Sequence, residues 1–345
     1  MKFPLCHVIF EITQECNLSC LYCYNYWRGK GHIAQQYEFK SAQKTLKRIL
    51  NIFDLVHITF TGGEPFLAEG FSELILKCRL KGKGVTVISN GTVAAEPDYR
   101  ILSMMGVTLF EFPLHSDNPA IHDKMTNSVG SFNKVIESIG CLQELKTDVC
   151  VVCVLTKLNI ESLRDTLHFA QQLGVRRFML ARFNIGGRGI ENSEMLLPSL
   201  EQLKSAFRIA DCFAQKNKMK ITANVCVPEC IIDPSDYPHI PVSSCGSDFL
   251  KKPVTIDSSG NVRFCNHSPV KAGNIFSESM DSIFNSEYAR SWKNDCPPYC
   301  SGCKSWDICH GGCRAASEQL YGSLNHEDPI IGLLKRDYLK NSPAD

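Results

Sequence analysis

The first half of the chain alternates short apolar segments with longer amphipathic ones. Segments rich in Val, Ile, Phe or Leu predict six strands, at residues 7–13, 56–61, 85–89, 107–112, 149–155 and 177–181. Between them, apolar residues recur every three or four positions, which predicts helices at 41–52, 70–81, 97–105, 132–145 and 160–173. This alternation favours an α/β fold whose parallel sheet has right-handed crossovers and is either doubly wound or curled into part of a barrel.

The second half changes character. A glycine-rich turn at 186–189 precedes one further long helix at 200–216, and from Val225 the chain is rich in Pro, Ser, Asp, Gly and Cys, with no long periodic segment until 330–339. Such a stretch can scarcely build a large apolar core, so we expect bound metal clusters to organise it. We predict a core at 1–200, a bridging helix and linker at 201–240, and a cysteine-rich domain at 241–345.

Charge and hydropathy exclude several classes of protein. The chain has 37 basic and 36 acidic residues with no dense basic run, which argues against nucleic-acid or anionic-membrane binding. The longest apolar stretch, 149–155, is far shorter than the roughly 18 residues of a membrane span. The first residues lack a secretory signal, so we expect a cytoplasmic protein in which disulfides are absent. Eighteen cysteines, seven of them between Cys245 and Cys313, therefore indicate metal or cluster ligation.

Three cysteines follow the first predicted strand, at Cys16, Cys20 and Cys23. Random placement would produce this spacing roughly 0.05 times in such a chain, so chance explains it poorly. A zinc site requires a fourth ligand, for which His32 is the nearby candidate. Three thiolates on a 4Fe-4S cluster would instead leave one iron open to a substrate or cofactor.

The spacing Cys-x3-Cys-x2-Cys, with Tyr22 before its last cysteine, resembles the signature of radical SAM enzymes. The resemblance implies a partial (β/α)6 TIM barrel in which the open iron binds the amino and carboxylate groups of S-adenosylmethionine. It also implies reductive cleavage to a 5′-deoxyadenosyl radical that abstracts a hydrogen atom from the substrate.

Further candidate residues follow the predicted strands, at the sheet edge where parallel α/β folds bind ligands. The candidates for contacting S-adenosylmethionine are Gly62, Gly63, Glu64, Pro65, Ser89, Asn90 and Arg182, together with Tyr22 in the cysteine loop. The first four resemble the family's GGEP motif, which binds the methionine amino group. Ser89 and Asn90 resemble the segment near the ribose, and Arg182 could pair with the methionine carboxylate. Taken singly, these motifs also fit ordinary turns or a solvated arginine, and His115 fits either a proton carrier or a structural histidine.

A second cysteine pattern covers the end of the chain. The SPASM extension of radical SAM enzymes has a similar spacing of cysteines. Here the two parts of the pattern read Cys245-x14-Gly260-x4-Cys265 and Cys300-x2-Cys303-x5-Cys309-x3-Cys313. The resemblance implies one auxiliary 4Fe-4S cluster on Cys245, Cys265 and Cys313, and a second on Cys300, Cys303 and Cys309. A zinc ribbon is the alternative for the latter group.

The pattern departs from the family after Cys313, because no cysteine follows. The second cluster must then take Cys296, which we favour, or Asp328, or keep an open iron. Cys226 and Cys230 are possible additional ligands of the first cluster, whose iron could otherwise bind a substrate thiolate.

These resemblances imply a maturase that installs a thioether or carbon–carbon crosslink on a ribosomal peptide. An anaerobic sulfatase-type maturase and a small-molecule radical dehydrogenase are the alternatives; Asn266 stands where sulfatase maturases carry an acidic proton acceptor. We expect a peptide or protein substrate and an electron donor such as flavodoxin or ferredoxin. Fifteen residues before Cys16 leave no room for a folded leader-binding domain, so we expect any leader to be recognised by a separate protein or another surface.

Overall fold

The computed structural model describes residues 2–334, and six of its strands form a parallel array. These strands are β1 (His7–Thr13), β2 (His57–Gly62), β3 (Gly84–Ile88), β4 (Leu109–Pro113), β5 (Val149–Leu155) and β6 (Arg177–Arg182). Each pairs in parallel with the next along the chain. A doubly wound sheet would reverse its order at a switch point, so the sequential order confirms the partial barrel.

Helices cover the outer face of this array. They are α1 (Phe39–Ile52), α2 (Phe71–Leu80), α3 (Glu96–Met104), α4 (Pro119–Thr126), α5 (Ser131–Glu144) and α6 (Leu163–Gln172). Five of them match predicted helices within a few residues. The sequence analysis missed α4, although the Asn118 side chain caps its first turn and Pro119 occupies the first helical position.

The second half of the chain contains short elements. They are α7 (Arg188–Glu191), α8 (Ser193–Leu196), α9 (Leu200–Lys216), β7 (Lys220–Ala223), β8 (Val254–Asp257), β9 (Asn261–Arg263), β10 (Gly273–Asn274), α10 (Met280–Phe284), α11 (Glu287–Asn294), α12 (Trp306–Cys309) and α13 (Arg314–Tyr321). Between α9 and residue 330, where the sequence shows no long periodic segment, the described helices are short, and α11 and α13 span eight residues each. Of the predicted segment 330–339, residues 330–334 are helical and the remainder lies outside the described residues.

One sheet joins the two halves of the chain. β7 pairs in parallel with β6, and β8 pairs in parallel with β1, placing the β8–β9 hairpin at the other side of the barrel strands. A buried ion pair between Glu11 of β1 and Arg263 of β9 reinforces this junction. The predicted boundaries at 200 and 240 therefore lie within a region connected by one continuous sheet, and the three-part division stays a prediction.

Among the described residues, none of the helices combines the length and the apolar character that a bilayer-spanning segment requires.

Candidate functional site

The loop after β1 brings Cys16, Cys20 and Cys23 together at the carboxyl edge of the barrel strands, each half-buried. Two arginines hold this loop: Arg28 donates to the Leu18 carbonyl at 2.6 Å, and Arg188 donates to the Ser19 carbonyl at 2.9 Å. Since one arginine follows the loop and the other follows β6, the loop is fixed from both sides.

Burial determines the protonation of these three thiols. It raises the pKa of Cys16 and Cys23, and it raises the pKa of Cys20 to about 12, with the neighbouring thiols adding to the effect. Thiolates at this position therefore need a cationic centre to stabilise them, as cluster iron does. The chemistry of the donor set fits a 4Fe-4S cluster bound by three cysteines.

The two glycines after β2 allow its end to lie against the cysteine loop. A Cβ on Gly62, whose φ is +151°, would lie 2.1 Å from the Thr13 carbonyl oxygen, and a Cβ on Gly63 would lie 2.0 Å from that of Glu15. The Gly63 amide donates to the Thr13 carbonyl at 2.7 Å. Both positions thus require glycine because the partner is backbone, which cannot move aside cheaply.

Glu64 is fully buried and connects the ends of β2 and β3. Its carboxylate accepts hydrogen bonds from the Phe66 amide at 3.1 Å, the Ser89 hydroxyl at 2.9 Å and the Asn90 amide at 2.7 Å. Burial raises the pKa of Glu64 to about 7. Both carboxylate oxygens are used by this chain, so the contacts show a structural role, and its predicted contact with a ligand stays untested. Pro65 begins the short 3-10 turn Pro65–Leu67.

Asn90 links this group to the cysteine loop. Its side-chain nitrogen donates to Asn17 Oδ1 at 2.9 Å and approaches Cys16 Sγ at 3.8 Å. Its side-chain oxygen, Oδ1, accepts from the Thr92 backbone amide at 2.9 Å. The structure therefore brings Glu64, Ser89 and Asn90 together beside Cys16, as the strand-end argument predicts for candidate site residues.

Half-buried Tyr22 and buried His115 contact each other next to the cysteines. Tyr22 hydrogen-bonds the Cys20 thiol, and its ring centroid lies 4.5 Å from that of His115. His115 Nδ1 accepts from the Val154 amide at 3.3 Å, so the proton of the neutral ring is on Nε2. Burial holds the pKa of His115 well below its usual value. These contacts favour the structural interpretation of this histidine.

Arg182 is buried in contacts with the second half of the chain. Its guanidinium forms a buried ion pair with Asp328 and donates to the Cys226 carbonyl at 2.7 Å. Asp328 also accepts from the Cys313 amide at 2.7 Å. Neither partner of Arg182 belongs to the Cys16 group, and its predicted pairing with a methionine carboxylate stays untested.

The cysteines of the second pattern gather in two groups. In the first, Cys245, Cys265 and Cys313 lie within electrostatic reach of one another. In the second, Cys300 has four sulfur neighbours: Cys230, Cys296, Cys303 and Cys309. In the described residues, no three His, Cys, Asp or Glu side chains are arranged around a single metal ion. A cubane does not need that arrangement, because each of its thiolates binds a different iron.

Aromatic and amide side chains connect the first auxiliary group to the Cys23 loop. Tyr24 and His267 contact each other with ring centroids 3.7 Å apart, and the Tyr24 hydroxyl accepts from the Asn266 side chain at 2.9 Å. Asn184, just after β6, hydrogen-bonds His267 and approaches Cys313 Sγ at 3.8 Å. The two cysteine regions are therefore separated by a short path of packed side chains.

Sequence reasoning missed Glu111 and assigned two other residues incorrectly. Glu111 lies between buried Phe110 and Phe112 on β4, so it faces the barrel interior, and burial raises its pKa to about 7. A single carboxylate within an apolar strand was the available signal. Six cysteines on strand or helix patterns are predicted from the sequence to pack in the core: Cys6, Cys78, Cys141, Cys150, Cys153 and Cys212. Cys78, Cys150 and Cys153 are buried and Cys141 is half-buried, but Cys6 and Cys212 are exposed.

A cleft of about 470 Å³ lies beside the Cys23 loop. It is lined by residues that follow β1 and β6, among them Arg28, Lys30, Arg188 and Glu191. Basic side chains predominate among these charged residues. All eighteen cysteines fall within the described part of the chain, and no disulfide links any two of them there.

Comparison with known families assigns both halves of the chain. The model of the radical SAM superfamily matches residues 10–170, and that of SPASM, an iron–sulfur cluster-binding domain, matches residues 245–304. The chain carries a radical SAM domain followed by a SPASM domain. The predicted cofactors, iron–sulfur clusters with S-adenosylmethionine, are thereby confirmed. The SPASM match ends before Cys309 and Cys313.

Curated relatives align over almost the whole radical SAM–SPASM chain. The PqqA peptide cyclase of Xanthomonas axonopodis pv. citri (strain 306) is 23% identical over 337 residues, covering 95% of this chain and 87% of the relative. The AdoMet-dependent heme synthase of Nitratidesulfovibrio vulgaris is 23% identical over 352 residues, covering 96% and 94%.

Solved structures share the fold of both domains. Streptococcus suis SuiB bound to precursor peptide SuiA gives a TM-score of 0.74 at 17% identity, covering 96% of this chain and 76% of that one. The enzyme anSMEcpe with bound AdoMet gives 0.71 at 19% identity, covering 97% and 96%.

Proposed function

We propose that this chain is a radical SAM oxidoreductase that matures a ribosomal peptide by forming a thioether or carbon–carbon crosslink. The contact between Tyr24 and His267 supports this proposal most directly, because it places the auxiliary cysteines next to the radical SAM loop. A radical reaction that ends in a new bond leaves one electron to be removed, and a nearby cluster can accept it. The names of the PqqA peptide cyclase and of the SuiA-bound SuiB structure support a peptide substrate.

Cys16, Cys20 and Cys23 would hold the radical SAM cluster, and the two SPASM groups would hold auxiliary clusters. With S-adenosylmethionine bound there, the site would supply the chemistry of a 5′-deoxyadenosyl radical, namely removal of a hydrogen atom from the substrate. The residues of this chain position the ends of β2 and β3 against the cysteine loop. The Glu64 carboxylate holds Ser89 and Asn90 at the strand ends, and Asn90 in turn lies against Cys16.

The residue beside Cys265 disfavours a sulfatase-type reaction. Asn266 offers an amide, and its side chain donates to the Tyr24 hydroxyl. An amide cannot accept a proton at neutral pH, so the acid-base step of formylglycine formation has no carboxylate at this position.

A small-molecule substrate is the second candidate. The heme synthase relative supports it, since that protein's name describes a reaction on a small molecule and its identity over the chain is also 23%. Product analysis separates the two candidates. Anaerobically reconstituted protein should release 5′-deoxyadenosine and change the mass of a candidate precursor peptide. Nucleoside release that depends on a porphyrin-type substrate and not on any peptide would contradict peptide maturation.

We infer that an acidic electron carrier such as flavodoxin or ferredoxin docks at the cleft beside the Cys23 loop. Its exposed Lys30 provides a test that does not alter the cysteine loop. Replacing Lys30→Glu should raise the carrier concentration needed for half-maximal nucleoside release several-fold at low salt, because rim charges steer association. Rates with dithionite should not change. Lys47→Glu, exposed on α1, is the matched control. Equal effects of both substitutions would contradict docking at this cleft.

We further propose that the protein works in the cytoplasm, because a reducing compartment keeps cysteines available as cluster ligands. A separate leader-binding protein would then present the peptide, and pull-down from cells that express the neighbouring reading frames tests for it.

A further inference from the structure

Cys226 lies where the first auxiliary group lacks a ligand. It follows β7, which pairs with β6 and so ends at the same edge of the sheet as Arg182. The Cys226 thiol contacts the sulfurs of Cys245 and Cys313. Cys265 is within electrostatic reach of the same two cysteines. Four thiols from four separate chain segments therefore surround one volume.

A buried ion pair fixes the position of Cys226 relative to Cys313. Arg182 donates to the Cys226 carbonyl at 2.7 Å, and Asp328 accepts from the Cys313 amide at 2.7 Å. Arg182 and Asp328 are themselves paired, with side chains 1% and 0% exposed. The backbone at both cysteines is thus held by one rigid element, which would favour simultaneous ligation by their side chains.

We propose that Cys226 is the fourth ligand of the first auxiliary 4Fe-4S cluster, together with Cys245, Cys265 and Cys313. This inference rests on the proposed function, because it requires the SPASM domain to hold that cluster. Every iron then carries a thiolate of this chain, in contrast to the open iron expected at Cys16, Cys20 and Cys23. The first auxiliary cluster would serve as an electron acceptor and would not bind a substrate thiolate.

The second auxiliary group provides an internal comparison. The backbone amide of Glu229 hydrogen-bonds the Cys309 thiol, and Cys230 lies near Cys300, so the segment after Cys226 continues to that group. Cys296 is also a neighbour of Cys300, which gives the second group five cysteines. Removing Cys226 should therefore alter one cluster and leave the other in place.

The test uses the full chain with Cys16, Cys20 and Cys23 replaced by alanine, so that its iron belongs to the auxiliary sites. Iron and sulfide content and the electron paramagnetic resonance spectrum of the reduced protein are measured with and without added 2-mercaptoethanol. In this triple-alanine background, added 2-mercaptoethanol should not change the spectrum. Adding Cys226→Ala should either remove about four irons per chain or retain them with a signal that shifts when the thiol is added.

Two further variants decide the remaining outcomes. Cys212→Ala, which removes an exposed thiol on α9, should match the background in iron content and spectrum. If Cys226→Ala fails to fold, Cys226→Ser is used in its place. This variant should retain both auxiliary clusters, and the signal of one of them should change because a serine oxygen is a harder ligand than sulfur. Cys226 variants that match the Cys212→Ala control, or a background that already responds to the thiol, would overturn the inference. A background without iron would instead overturn the proposed function.

Discussion

The buried ion pair between Arg182 and Asp328 provides a quantitative test of how the auxiliary region is held. Replacing Asp328→Asn removes one charge and leaves the Arg182 guanidinium buried without a counter-ion. Breaking a buried pair in this way costs about 3–5 kcal/mol. An unfolding entropy of about 2.1 cal/mol/K per residue gives about 0.7 kcal/mol/K for this chain. The expected decrease in Tm is therefore about 4–7 °C.

Anaerobic thermal melting followed by circular dichroism measures this decrease, with iron content determined on the same samples. The double variant Arg182→Met/Asp328→Asn should recover at least half of it, because no unpaired charge then remains. Asp148→Asn is the matched control, since Asp148 pairs with Arg177 at the surface, where both side chains are about half exposed. It should change Tm by no more than about 1 °C.

The result also decides how Asp328 contributes to the auxiliary region. Because the ion pair holds Cys226 and Cys313 of the first group, loss of iron from the second cluster alone, in both the single and the double variant, would identify Asp328 as a ligand of that cluster and refute the ion-pair interpretation. An unchanged Tm in the single variant would show that the pair adds no stability.

Two further predictions concern the barrel. Gly63→Ala should abolish S-adenosylmethionine-dependent nucleoside release and lower Tm, since its Cβ would lie 2.0 Å from a backbone oxygen. Gly140→Ala, inside helix α5 with nothing within 4 Å of its Cβ, should leave nucleoside release unchanged and should not lower Tm. Equal effects of the two substitutions would refute the steric argument. Glu111→Gln should increase stability at pH 8 by up to about 3 kcal/mol and at pH 5 by less than about 1 kcal/mol. The pKa of Glu111 is raised to about 7, so the wild type loses stability as pH rises towards and through that value. A Tm difference independent of pH would contradict this reasoning.

Local patterns in the sequence predicted most of the barrel. The strand-and-helix alternation, the glycine pair after β2 and the cysteine spacings each depend on residues close together in the chain, where periodicity and turn chemistry act. Because parallel strands end at one edge of the sheet, the sequence also predicted that Glu64, Ser89 and Asn90 lie at the same edge as the cysteine loop. In the structure these residues lie beside Cys16.

Long-range contacts could not be predicted in the same way. Arg182 and Asp328 are 146 residues apart, and Glu11 and Arg263 are 252 apart. Neither pair leaves a local pattern, because each residue is an isolated charge in its own segment. The proximity of Cys226 to Cys245 and Cys313 likewise depends on β7 joining the sheet, which its four residues did not signal.

The pairing of β8 with β1 has a consequence for how the protein can be divided. Truncation before β8 would expose the edge of β1, where residues 8–11 now pair with β8, and it would leave Glu11 buried without Arg263. An unprotected edge of this kind recruits other chains and causes aggregation. The N-terminal portion is therefore not an autonomous enzyme to which a cluster module was appended, and expressing it alone should yield insoluble material.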